Sequence, residues 1–153
     1  MKDEPIQPRL YLDDLTIGQE FTSGTHQIDA DQIIEFATRF DPQPFHTDPE
    51  AARDTFFQGL AASGWHTMAI TMRLLVESMP FAQGIIGAGG EISWPRPTRP
   101  GDILRTTSRI TDIRPSRSKP DRGQVMTQCL TLNQSDAVVQ EFKASLLVFR
   151  QNA

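Results

Sequence analysis

One long helical pattern is followed, for the rest of this chain, by strand patterns alone. Trp65, Met68, Ala69, Met72, Leu75, Val76 and Met79 recur at helical spacing, and Ile70 and Leu74 widen the stripe. This spacing predicts a helix over 65–79, buried on most sides and stopped by Pro80. Strands are then predicted over 91–94, 102–113 and 124–133, and a last one where Phe142, Ala144, Leu146 and Val148 alternate with Glu141, Lys143 and Ser145. Within 124–133, Met126, Leu130 and Leu132 share one face, and Thr127, Cys129 and Thr131 the other. Pro100-Gly101 and Gln134-Ser135-Asp136 read as turns.

Ahead of the long helix the pattern is mixed. Residues 21–28 read as a strand, with Thr22, Thr25 and Ile28 supplying β-branched side chains. Asp29 is a good N-cap, and Gln32 three residues later makes an approximate capping box. Ile33, Phe36, Ala37 and Phe40 continue that helix, and Pro42 ends it. Asp48-Pro49-Glu50 starts a short helix over 49–55. The first twenty residues are polar and hold Pro5 and Pro8, so residues 1–14 are expected to be an irregular arm and 15–153 a single domain. Short links between consecutive strands make them antiparallel. The expected architecture is α+β: a curved antiparallel sheet wrapped around one long central helix, which is the hot-dog arrangement.

Composition narrows the function classes. The 153 residues carry a formal net charge of −4, which argues against a general nucleic-acid binder. Mean hydropathy is −0.37, and no apolar run approaches the roughly 20 residues of a membrane span. The lysine at position 2 is followed by no apolar stretch, so no signal peptide is expected. The single cysteine, Cys129, excludes an intrachain disulfide and a Cys-rich zinc site, and suits a reducing cytoplasm.

Chemistry concentrates in Asp41-Pro42-Gln43-Pro44-Phe45-His46. A carboxylate and an imidazole bracket two prolines, and each proline fixes its own φ near −65°. A stiff connection suits a two-residue acid/base site, because about 1 Å of misplacement can cost ~10²-fold in rate. Such a pair can hold and polarise one water, and Phe40 and Phe45 would keep it partly dry. The plainer alternative is that Asp41 caps the helix end and His46 packs beside Phe45.

The same segment resembles the D-x-N-P-x-H motif of the MaoC-like dehydratases and R-specific enoyl-CoA hydratases. The resemblance continues through Thr47-Asp48-Pro49-Glu50-Ala51-Ala52, through Leu60-Ala61-Ala62-Ser63-Gly64-Trp65, and through Arg96-Pro97-Thr98-Arg99-Pro100-Gly101-Asp102. It implies a hot-dog fold and hydratase or dehydratase chemistry on an acyl thioester, with Asp41 and His46 catalytic and the Gly64 backbone N–H polarising the thioester oxygen. A helix N-terminus with free N–H groups suits that last role. The resemblance leaves open which of Asp41 and His46 is the base, with Asp41 favoured. It implies no metal and no cofactor beyond the coenzyme A of the substrate.

Three residues depart from the family pattern: Gln43 stands at the usual Asn, Trp65 follows Gly64, and Met72 is bulky where a small polar residue occurs. Ser63, Trp65 and Met72 are expected to line the acyl site. Arg96 and Arg99, or the basic loop of Arg114, Arg117, Lys119 and Arg122, are expected to meet the phosphates of coenzyme A. His66 and His26 read as structural and surface residues, and Cys129 as a small buried one. A hot-dog thioesterase is the first rival, though 63–72 holds no acid and Glu77 lies far along the helix. A non-catalytic acyl-CoA-binding or partner subunit is the second. The exposed edges of a single such sheet predict a homodimer or larger homo-oligomer.

Overall fold

In the computed structural model of the chain, which describes residues 9–151, β-branched and alternating segments pair into one antiparallel sheet. Its strands are β1 (Glu20–Gln27), β2 (Ile86–Ser93), β3 (Ile103–Pro115), β4 (Arg122–Leu132) and β5 (Val138–Phe149). Their spatial order is β1-β3-β4-β5-β2, so the long strands β3, β4 and β5 form the centre and β1 and β2 the edges. Four helices lie between β1 and β2: α1 (Ala30–Phe40), α2 (Pro44–Thr47), α3 (Pro49–Ala52) and α4 (Gly64–Ser78). This is the expected α+β layering, with α4 as the central helix. Among the described residues no helix is long and apolar enough to cross a membrane.

Local signals act largely as predicted. The Asp29 carboxylate accepts from the Gln32 N–H at 2.9 Å and starts α1. The capping box stays half-made: the Gln32 side chain turns instead to His26 Nε2, at 2.8 Å, and to the Gln27 carbonyl. Asp48 caps α3 through the N–H groups of Glu50 and Ala51, and α3 stops at Ala52 rather than 55. The irregular arm expected over 1–14 is docked in its described part. Leu10 bonds both ways to the chain after α4, donating to Pro80 and accepting from Ala82, and Leu12 enters the core. Residues 1–8 lie outside the described residues.

The face of α4 is a correction. The buried residues of α4 are His66, Thr67, Ile70, Thr71, Leu74 and Leu75. Trp65 and Val76, both in the predicted apolar stripe, are 60% and 57% exposed, Ala69 is exposed, and Met68 and Met72 are half-buried, while Leu75 and Met79 are buried as expected. β4 behaves alike: Val125, Thr127, Cys129 and Thr131 face the helix, while Met126 and Leu130 face outward. Buried hydroxyls pair across the layer, Thr71 with Thr131 at 2.6 Å and Thr67 with Thr98 at 3.2 Å. That pairing removes most of the cost of burying them.

Apolar packing fills the two ends of this layer. Leu75 and Met79 pack with Leu12, Ile110, Val125 and Leu146. Ile70 and Leu74 pack with Ile28, Ile33, Leu104 and Val139. Cys129 lies at the sheet centre, 1% exposed, and burial pushes its thiol pKa up.

His66 is buried against the ring of Phe36, stacked at 4.5 Å with an interplanar angle of 6°. Its Nδ1 has no partner among the described residues, and burial pushes its pKa down to about 4. Between pH ~6.5 and ~4 the unfolded chain therefore takes up a proton at this site that the folded chain refuses. Stability is expected to fall as pH drops through that window, with no further loss from His66 below it. Thermal melts of the wild type and His66→Gln from pH 7.5 to 4 check this. The melting temperature of the variant should fall less steeply on acidification, and parallel curves would refute the assignment.

Candidate active site

The excursion between α1 and α4 builds the site. α1 ends at Asp41, whose N–H closes the last turn onto the Ala37 carbonyl at 2.8 Å. Its side chain is left free to face the next turn. Pro44 then sits at the first position of α2, where a missing N–H costs nothing, and α2 carries His46. The plainer alternative thus holds only for backbone and packing: Asp41 does end a helix, and His46 does pack edge-on to Phe45 at 4.5 Å. The two side chains nevertheless meet, with Asp41 Oδ2 3.4 Å from His46 Nε2.

Hydrogen bonds settle how each group is presented. His46 Nδ1 lies 2.6 Å from the carbonyl of Ala61. A carbonyl only accepts, so Nδ1 carries the hydrogen, and in the neutral ring Nε2 is a bare acceptor. The Ala61 N–H returns a bond to the Phe45 carbonyl at 3.0 Å, which locks the ring's support in place. The Gln43 amide donates to Asp41 Oδ1 at 2.5 Å, so the departure from Asn leaves a side chain that orients the carboxylate. Two acceptors, Asp41 Oδ2 and His46 Nε2, therefore face one spot at a separation longer than a direct hydrogen bond. That arrangement fits a water donating one hydrogen to each.

Both groups line a cavity of about 460 Å³ together with Phe56, Phe57, Trp65, Trp94 and Gly64. Gly64 is the first residue of α4, and its N–H has no acceptor among the described residues. A Cβ on Gly64 would lie 2.5 Å from the Trp94 ring. The glycine is thus required by an indole stacked on the helix start, and Trp94 in turn meets Trp65 edge-on at 5.5 Å.

The other predicted residues separate. Trp65 and Arg96 line the cavity. Arg96 is exposed and spends one N–H on the Val138 carbonyl at 3.1 Å. Arg99 does not line it: its guanidinium is taken by the carbonyls of Phe57, Gly59 and Leu60, so it braces the loop ahead of α4. Ser63 is fully buried at the N-cap of α4, makes no capping bond, and its Oγ has no partner among the described residues. Met72 lines a different cavity of about 130 Å³ between α4 and the sheet, with Met68, Leu75 and Phe142. In the basic loop, Arg114 pairs with Asp112 at 2.7 Å and Arg122 with Asp121 at 2.8 Å, away from the site. Glu77 pairs with Arg73 at 3.1 Å on the exposed side of α4, which leaves the thioesterase rival without its acid.

Sequence reasoning missed Phe57, Thr67, Trp94 and Thr98 as lining residues. Trp94 stands at the end of a predicted strand, directly before Pro95, and a tryptophan at that position was the available signal.

The MaoC like domain family matches residues 14–131. An uncharacterized protein of Bacillus subtilis, YdeM, is 36% identical over 142 residues, covering 91% of this chain and 99% of its own. Among solved structures, the MaoC-like dehydratase from Rhodospirillum rubrum is 56% identical with a TM-score of 0.92, covering 94% of this chain and 99% of that one. The (R)-hydratase from A. caviae involved in PHA biosynthesis is 25% identical with a TM-score of 0.69, covering 86% and 96%. With a family match over residues 14–131 and a 56% identical MaoC-like dehydratase that superposes over most of its length, this chain belongs to the MaoC-like dehydratase family and has its hot-dog fold.

Proposed function

We propose that the protein adds water to, or removes it from, an acyl thioester of the 2-enoyl-CoA/3-hydroxyacyl-CoA type. The observation that carries this is the convergence of two acceptors, Asp41 Oδ2 and His46 Nε2, 3.4 Å apart in a cavity that also holds the free N–H of Gly64. In the hydration direction a water gives one hydrogen to each acceptor. Asp41 takes one proton as the water oxygen bonds to C3, and His46 holds the hydrogen that stays on the new hydroxyl. The C2–C3 π electrons move toward the carbonyl, and the Gly64 N–H meets the charge that develops on the thioester oxygen. The proton on Asp41 then passes to C2 on the same face, which returns the carboxylate. Arg96, at the cavity mouth with N–H groups to spare, would meet a coenzyme A phosphate. The substrate brings the coenzyme A, and no resident cofactor enters the scheme.

The test is turnover of crotonyl-CoA. Asp41→Asn and His46→Gln should fold, by circular dichroism, and each should lose on the order of 10²-fold or more in kcat/KM. Hydration at the wild-type rate by both folded variants would remove the assigned pair. Failure of the wild type on every 2-enoyl-CoA tried would remove the hydratase assignment.

A homodimer goes with this function. The outward stripe of α4, with Trp65, Ala69 and Val76, is apolar, and β2 is exposed along nearly its whole length. Its outer edge pairs with no other strand among the described residues. A second copy laid against both would cover them. Light scattering at micromolar concentration should give twice 17.1 kDa or a larger multiple, and a stable monomer would contradict the pairing.

A further inference from the structure

A glutamine lies under the central helix with no exposure at all. Gln140 projects from β5 into the layer between sheet and α4. Burying an amide is costly unless each polar atom finds a partner. Here they all do. Gln140 Oε1 accepts from the indole N–H of Trp94 at 3.0 Å. Its Nε2 donates to Thr71 Oγ1 at 3.0 Å and makes a longer contact, 3.5 Å, with the sulfur of Met68. Thr71 is held in turn by Thr131.

The partners of Gln140 belong to two different spaces. Trp94 is a wall of the catalytic cavity, beside Gly64. Met68 is a wall of the apolar cavity of about 130 Å³ that also holds Met72 and Phe142. We infer that the layer Trp94–Gln140–Met68 is a partition that ends the catalytic cavity and makes Gln140 the residue that limits acyl length. The inference rests on the proposal that the cavity takes an acyl thioester. A short acyl group stays on the catalytic side of the indole. A longer one reaches the apolar space only by displacing the amide, which would leave the Trp94 N–H without its acceptor and take from the Thr71 hydroxyl the donor it has beside Thr131. Methylenes offer neither group a replacement.

The experiment compares C4 with C8 substrates in two readouts: kcat/KM for the 2-enoyl-CoA, and calorimetric affinity for the saturated acyl-CoA. The proteins are the wild type, Gln140→Ala and Trp94→Phe, each with its melting temperature recorded. The wild type should prefer C4. Gln140→Ala should move the C8-to-C4 ratio at least ~10-fold toward C8, the scale of a newly accommodated methylene. Trp94→Phe, which keeps a ring but drops the pinning N–H, should move it in the same direction by less. If Gln140→Ala does not fold, the Trp94→Phe ratio decides alone. Active variants with an unmoved ratio overturn the partition and leave the hydratase function standing. A wild type without turnover whose affinity preference still shifts with Gln140 removes the hydratase function and keeps the partition. Absence of both turnover and length-dependent affinity removes both.

Discussion

The backbone of Ala61 and Ala62 is pinned from two sides, and the site depends on it. Ala61 exchanges bonds with α2, giving its N–H to Phe45 and receiving the Nδ1 hydrogen of His46. One residue on, Ala62 gives its N–H to the Thr98 carbonyl at 2.9 Å. This short stretch therefore joins the histidine to the loop ahead of β3, and it leads directly into α4. The tautomer of His46, the start of the helix and the position of Gly64 are thus fixed by the same few peptide groups. Arg99 braces the stretch from behind through the carbonyls of Phe57, Gly59 and Leu60. Bonds of this kind cost little to keep in a dry site and much to leave unmade.

A stiff scaffold of backbone bonds explains why the acid/base pair needs so few side chains. Asp41 is oriented by one amide, Gln43, and by the helix end that carries it. His46 is oriented by one carbonyl and by the faces and edges of Phe45 and Phe57. Trp94 plays a different part, because it touches Gly64 on one side and Gln140 on the other. The indole thereby couples the helix start to the centre of the sheet.

How much of this was legible in the sequence varies with what each signal reports. Caps and prolines report local backbone, and they placed α1, the start of α3 and the turn at Asp41. The meeting of Asp41 and His46 was legible because both lie within one short stiff segment. The face of α4 was not legible. A helical stripe marks a surface that avoids water, and it does not say which partner covers it. Here the stripe of Trp65, Ala69 and Val76 points away from the chain's own sheet, while Thr67 and Thr71 point into it. β4 misleads for the same reason, since Thr127 and Thr131 are inside and Met126 outside. Thr67, Thr71 and Thr131 are inward because their hydroxyls meet another hydroxyl or the Gln140 amide from a distant part of the chain, and that pairing is a long-range fact. Arg99 misled in another way: a guanidinium suits a phosphate and three carbonyls equally, and only the folded loop decides between them.

The burial of Cys129 has a use beyond packing. The chain has one thiol, at the centre of the sheet beneath α4, with its pKa raised by its surroundings. A thiol held in that state reacts poorly with oxidants and alkylating reagents, so it gives the folded protein no redox handle. It also gives the protein a natural clock. Cys129 is reached only through the small apolar cavity beneath α4 that it lines, so the rate at which the native chain is modified reports opening of that layer rather than motions of exposed loops.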